Sequence, residues 1–460
     1  MSETAPGRKR APRARAAAAP ARAARPKATN VAEPAAETPK IEAPAPAEAP
    51  AKPPARARAK PAAASAAKPK RSAAAKAAPA PKAAAPEPVA EAPKPKPAAA
   101  KPAAAPKPPA PEPETPNAAE AAATGKKPLS LALQGGGSHG AFAWGVLDRI
   151  FEADVFDVRA IVGTSAGAMN ASVAAYGLAK GGPTGAREAL SAFWGRISNS
   201  ARMSPLQPSP LDRMMGLGNV DFSPAFAAFE LMSRFASPYQ LNPMNVNPLR
   251  DVLAASIDFD WMHEETAVKL FICASNVMTG KIRVFTQKDL SIEAVLASAC
   301  LPFMFQAVEI DGEHYWDGGY MGNPPLYPLI YHAECADILL VQLNPIVIDE
   351  LPTTAQQILD RINTLSFNSS LMREMRVISF VSKLIDKGFD DGGRLKRMFI
   401  HTVDGQEALK GFGVSSKLNA DKAFLTHLFE QGRKEGERFL AEHLDDVGVR
   451  SSTDIDAKFL

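Results

Sequence analysis

The sequence predicts an α/β protein: a three-layer α/β/α sandwich on a mostly parallel central sheet, preceded by a long disordered basic tail. Three observations predict it. Residues 1–125 of the 460 hold 50 Ala and 27 of the 42 Pro, but no Phe, Trp, Tyr, Leu or Cys. Residues 129–179 then run twice through a short apolar strand, a glycine-rich turn and an apolar helix. Further short aliphatic runs follow at 269–274, 282–285, 337–343 and 398–403. Strands that alternate with helices build a parallel sheet, and such a sheet is covered on both faces.

A tail without large apolar anchors buries too little surface to offset its chain entropy. It reads as disordered, with polyproline II character where Pro is dense. It carries 22 Lys+Arg against 10 Glu, a net of +12. Residues 126–460 carry 31 Lys+Arg against 39 Asp+Glu, a net of −8. The formal +4 of the whole chain therefore describes neither part. Such a tail suits non-specific contact with DNA or anionic lipid through counterion release. It has no aromatic side chain on which bases could stack, and it reads equally well as a solvated linker.

Three cysteines, Cys273, Cys300 and Cys335, do not fall at zinc-ligand spacing. Their number argues against a disulfide framework and for a reducing, cytoplasmic setting. No apolar run approaches the ~18 residues of a transmembrane span. No secretory apolar core follows the N-terminus.

The elements follow in order. Residues 129–133 read as a buried strand that ends at Gln134, and residues 141–153 as a helix with Phe142, Val146, Leu147 and Ile150 on one face. Residues 158–162 are a β-branched strand, and 168–179 a helix of small residues. Residues 199–250, rich in Pro, Met, Phe and Asn, break the pattern and read as a cap-like insertion over the sheet. A helix at 292–299 precedes a hairpin, with strands at 307–310 and 314–316 around Asp311-Gly312. Long helices are expected at 356–384 and 421–444. The domain layout is thus a tail at 1–125, a core at 126–345 and a C-terminal helical region at 346–460 packed on it.

Two glycine-rich turns carry the chemistry. Gly135, Gly137 and Gly140 match the dinucleotide fingerprint G-x-G-x-x-G between a strand and a helix. A dinucleotide site also wants an acidic residue at the end of the second strand. That place holds Gly163-Thr164-Ser165-Ala166-Gly167 instead. A G-x-S-x-G turn between strand and helix exposes its serine, and Gly163 and Gly167 let the two elements approach closely. The helix that follows aims its N-terminal amides at the serine. Consecutive amides of Gly135, Gly136, Gly137 and Ser138 form a donor cluster suited to an oxyanion. Parallel neighbouring strands bring both turns to one edge of the sheet.

Ser165 needs a base, and two residues qualify. His401 lies in a strand and would complete the order Ser165, Asp317, His401, although a strand-face histidine is more often a packing residue. Asp317 lies just beyond a strand and is followed by Gly318 and Gly319, which leave it unhindered.

These motifs, in this order, resemble the bacterial patatin-like phospholipases over roughly residues 129–345. The resemblance rests on the glycine loop from Gly135 to Gly140, the Gly163–Gly167 elbow and Asp317-Gly318-Gly319, with 297–302 as a supporting stretch. Ser416-Lys417-Leu418-Asn419 resembles the tails of bacterial members more loosely. The resemblance implies a patatin-like sandwich and a dyad in which Ser165 attacks an ester carbonyl and Asp317 takes its proton directly. It implies no metal and no organic cofactor. Many members carry an arginine inside the glycine loop, where this chain has Ser138-His139. His139 reads as a surface loop residue, in part protonated near neutral pH.

The implied substrate is a lipid ester, above all a phospholipid, and an intracellular polyhydroxyalkanoate polyester is the alternative within the fold. Either substrate would bring the protein to a membrane or granule surface. Outside the class stands a binding protein tethered to nucleic acid or membrane by its tail, with an idle hydrolase body. Met203, Met214, Met215, Phe222, Phe226, Phe229, Met232 and Phe235 in the insertion offer flexible apolar surface for an acyl chain, or they pack the cap onto the body.

Overall fold

The computed structural model describes residues 125–460 except 203, 205–206, 215–217, 265–266, 390 and 393. The tail expected to be disordered lies outside the described residues up to 124, as do Met203 and Met215. Strand β1 (Lys127–Leu133) leads through the glycine loop into helix α1 (Gly140–Ala153). Strand β2 (Phe156–Thr164) leads through the serine elbow into helix α2 (Ala166–Ala201). Both are the strand–turn–helix units that the sequence predicts.

Helix α2 runs past the expected end. Gly181 and Gly182 break it, Gly182 with φ 60°, and Pro183 restarts it. Proline suits the first turn of a helix, so Gly-Gly-Pro is a joint rather than a stop. The second half buries Leu190, Phe193 and Trp194.

The sheet has eight strands in the order β5-β6-β3-β2-β1-β7-β8, with β4 also paired to β3. Strands β1, β2, β3 (Lys269–Asn276), β7 (Asp337–Gln342) and β8 (Phe399–Asp404) run parallel. Strands β4 (Ile282–Thr286), β5 (Val308–Ile310) and β6 (Glu313–Asp317) add antiparallel pairs, and helix α3 (Ile292–Ser298) packs on β3. The β5–β6 turn places Asp311 at φ 53° and Gly312 at φ 77°, the two positive values that a type I′ hairpin requires.

Alternate strand residues face two cores. Leu131, Leu133, Ile161, Leu339 and Val341 point to the side of α1, α2 and helix α5 (Lys422–His443). Ala132, Val162, Ile338, Leu340 and Ile400 point to helix α4 (Ala355–Asp386), through Leu371, Met375 and Ile378. These are the three layers.

Helix α5 lies almost backbone to backbone on α1. A Cβ on Gly432 would sit 2.0 Å from the Phe142 carbonyl oxygen, and one on Gly145 would sit 2.0 Å from that of Phe429. Neither helix can yield without moving the sheet side chains beneath it. Gly432→Val should therefore lose about 3 kcal/mol or more in chemical denaturation. An unchanged midpoint would show that the two helices part easily.

Candidate active site

Strand β3 organises the site. Its edge pairs with β2 up to Thr164 opposite Cys273. Strand β4 occupies the other edge from Phe271 to Ser275. Strand β6 pairs with Ala274–Asn276, so it must share the edge that β2 has just left. Asp317, opposite Ala274, thus meets the chain where Ser165 turns away. The two residues, 152 positions apart in sequence, arrive from opposite directions at one point.

Ser165 has φ 57° and ψ −125°, a conformation that favours glycine, and it is only 8% exposed. Its amide donates to Ser298 Oγ at 2.9 Å, and its carbonyl accepts from Ala168 and Met169. The elbow needs its glycines. A Cβ on Gly163 would lie 2.3 Å from the Gly167 carbonyl oxygen, and one on Gly167 would lie 2.2 Å from that of Leu133.

The glycine loop lies against this elbow. A Cβ on Gly135 would lie 2.6 Å from Ser165 Cβ, and one on Gly140 would lie 2.8 Å from Ala166 Cβ. The G-x-G-x-x-G spacing therefore serves close approach to the serine turn. The two peptide groups that flank Gly135 are each held by an asparagine. Its N–H donates to Asn323 Oδ1 at 2.6 Å, and its carbonyl accepts from Asn344 Nδ2 at 2.8 Å. This corrects one expectation: the Gly135 amide is already engaged and has no capacity for an oxyanion. The amides of Gly136, Gly137 and Ser138 make no hydrogen bond among the described residues.

Asp317 is fully buried. Its Oδ1 accepts from the Gly319 amide at 2.7 Å, and its Oδ2 has no hydrogen-bond partner among the described residues. Burial pushes its carboxyl up to about 6, while the Gly319 amide, the Ser165 side chain and the Lys417 charge hold it down. A Cβ on Gly318 would lie 2.1 Å from the Cys273 carbonyl oxygen, so only glycine lets the Asp317 turn close on β3.

His139 is a second correction. It is buried, not a surface loop residue, and burial with the neighbouring Lys417 charge lowers it to about 3. The imidazole is neutral at any working pH. Ser416 Oγ donates to the Gly413 carbonyl at 2.6 Å, so it accepts from His139 Nε2–H at 2.7 Å. The ring is a structural tie between the glycine loop and the segment before α5.

That segment brings in a residue whose part the sequence left undefined. Lys417 Nζ donates to Asn344 Oδ1 at 2.8 Å. Its backbone faces Gly137, where φ is 58° and a Cβ would lie 2.3 Å from the Lys417 carbonyl oxygen. The loose likeness of Ser416–Asn419 to bacterial tails was the available signal. Ser298 lies in the 297–302 stretch of the resemblance, whereas Asn323 and Asn344 carry no such local mark.

His401 stands apart. It pairs with Leu339, which is level with Leu131 and Ile161, three strands from β2 and four residues short of Ser165. Three strand spacings are about 14 Å. It is bonded to Asp337 Oδ1 at 3.1 Å and Ser452 at 3.0 Å, as a packed core histidine is.

The insertion flanks the site. Val220 N donates to Ser415 Oγ, and Asn419 Nδ2 to the Gly218 carbonyl, beside the glycine loop. Gln306 and Ala307, on the approach to β5, bond Asn242 and Tyr239. Met214, Phe222, Met232 and Phe235 are exposed, whereas Phe226 and Phe229 are partly covered. A groove of about 1010 Å³ opens between the insertion and α5, lined by Arg213, Phe412 and Phe424 among others, and it does not include Ser165. Among the described residues no helix is long and apolar enough to cross a membrane.

Residues 131–330 match the family model described as patatin-like phospholipase. These 200 of the 460 residues are the part of the chain that is similar to that family. Solved structures similar to it include VipD from Legionella pneumophila, at 14% identity over 69% of this chain and 67% of that one, with a TM-score of 0.33. The ExoU–SpcU complex from the type III secretion system of Pseudomonas aeruginosa matches at 18% identity over 69% of this chain, with a TM-score of 0.26. The type III effector ExoU matches at 15% over 67% of this chain, with a TM-score of 0.22. The chain spans 59% and 54% of these last two proteins. No curated protein matches the sequence.

Proposed function

We propose that the protein is a serine lipid acyl hydrolase that cleaves carboxylic esters of phospholipids or related lipids with a Ser165–Asp317 dyad. One observation carries the reading: β6 follows β2 along one edge of β3, so a buried carboxylate abuts a strained serine beside open amides. Ser165 Oγ attacks the carbonyl carbon, and its proton passes to Asp317. Negative charge develops on the former carbonyl oxygen, which the amides of Gly136, Gly137 and Ser138 and the α2 N-terminus stabilise. The tetrahedral species collapses, the leaving alkoxide takes the proton from Asp317, and an acyl-serine remains. Water then attacks the acyl carbon as Asp317 takes its proton. Collapse frees the acid and returns that proton to Ser165 Oγ.

An ordinary aspartate, with a pKa of ~3.9, is a weak base. Burial makes this one stronger, yet at about 6 it remains mostly ionised at neutral pH. The exposed apolar side chains of the insertion suit contact with a lipid surface, and the tail could add attraction to anionic lipid.

The test is fluorophosphonate labelling of the full chain, with the adduct located by peptide mass. Labelling should fall on Ser165 and rise with pH along a limb near 6. No adduct, or an adduct on another serine, would reject the dyad.

A further inference from the structure

The glycine loop from Gly135 to Gly140 holds no lysine or arginine, and its His139 is neutral. A cation nonetheless reaches the loop from 280 residues away. Lys417 Nζ donates to Asn344 Oδ1 at 2.8 Å, and Asn344 Nδ2 donates to the Gly135 carbonyl at 2.8 Å. The Gly135 carbonyl and the Gly136 N–H belong to one peptide group. Charge at Lys417 therefore polarises the Asn344 amide. That amide polarises the peptide, and the peptide makes Gly136 N–H a stronger donor. Linked hydrogen bonds strengthen one another in this way inside a protein.

We propose that Lys417 is a positioning residue that delivers positive charge to the oxyanion donors through Asn344 and the Gly135–Gly136 peptide. The proposal deepens the dyad reading and rests on it. The relay also fixes the loop in space. Asn344 holds the Gly135–Gly136 peptide through its carbonyl, and Asn323 holds the preceding Gln134–Gly135 peptide through the Gly135 N–H, so both peptides that flank Gly135 are tied down.

The groups facing Lys417 come from three elements. His139 lies in the glycine loop, Asp317 ends β6, and Asp360 lies on α4. Asp221, in the insertion, acts on Asp360 in turn. Burial lowers Lys417 to about 8, against the pull of Asp360 and Asp317. The relay is thus charged at neutral pH and loses its charge as pH rises through about 8.

The experiment compares the full chain with Lys417→Met and Lys417→Arg on a short-chain p-nitrophenyl ester across pH 5 to 10. The parent should show an alkaline limb near pH 8. Lys417→Met should lower kcat at pH 7 by about 10-fold or more, with KM within about two-fold, since one weakened oxyanion donor acts on the transition state. It should also lose the alkaline limb. Lys417→Arg keeps its charge, so it should recover most of kcat and carry activity past pH 9. A Lys417→Met enzyme as fast as the parent overturns the relay. So does an alkaline limb that stays near pH 8 in Lys417→Arg, a comparison that needs only the arginine variant to fold. Turnover that survives Ser165→Ala brings down the dyad itself. Its loss there, with Lys417→Met unaffected, brings down the relay alone.

Discussion

Ser165→Ala should reduce ester turnover at least about 1000-fold, to background, because no other hydroxyl shares its position. The melting transition should barely move. The serine sits at φ 57° and ψ −125°, and alanine inherits that strain with the same Cβ. Ser165→Gly separates the two consequences. It should be equally inactive but more stable than the alanine variant by roughly 1 kcal/mol, because glycine adopts this conformation freely. Thermal melts of both variants beside an ester assay check the pair. A Ser165→Gly melt below that of Ser165→Ala would mean that the turn is unstrained, and retained turnover in either would move the nucleophile elsewhere.

Asp317→Asn should fall by a similar factor and yet stabilise the protein. Asparagine keeps the acceptor that Gly319 uses and offers its amide to Ser165. It cannot take a proton. Burial raises the Asp317 carboxyl to about 6 in the folded protein. A raised acid binds its proton more tightly when folded, so stability is full below the unfolded value near 3.8 and is lost as pH rises through about 6. Above pH 7 that loss is about 3 kcal/mol. The asparagine variant escapes it. Its melt should exceed the parent's by a few degrees at pH 8 and by about half as much at pH 5. Equal stability at both values would mean that the carboxylate is better solvated than its burial implies.

Much of this was legible in the sequence, where side-chain type and backbone demand are local. The Gly163–Gly167 elbow, the Asp311-Gly312 hairpin and the strand–turn–helix units are each decided within a few residues. Which of Asp317 and His401 lies beside Ser165 is not a local matter. It follows from β6 docking antiparallel on β3 where β2 departs, a register no short stretch encodes. His139 read as exposed because the residue that covers it, Ser416, is 277 positions away. The Gly135 amide looked available for the same reason, since Asn323 lies 188 positions on. Helix α2 looked shorter because Gly181-Gly182-Pro183 reads as a terminator, while packing of Phe193 and Trp194 carries it onward.

The α1–α5 crossing also sets an order in time. Translation releases the glycine loop, the elbow and Asp317 well before residues 413–443. Until those emerge, Gly137 has no Lys417 backbone beside it, His139 has no Ser416, and α1 lacks the helix that lies against Gly145. On the reading proposed above, a ribosome-bound chain holds the nucleophile and its base without the frame that aligns them. A nascent chain of this build completes that frame only after residues 413–443 have emerged.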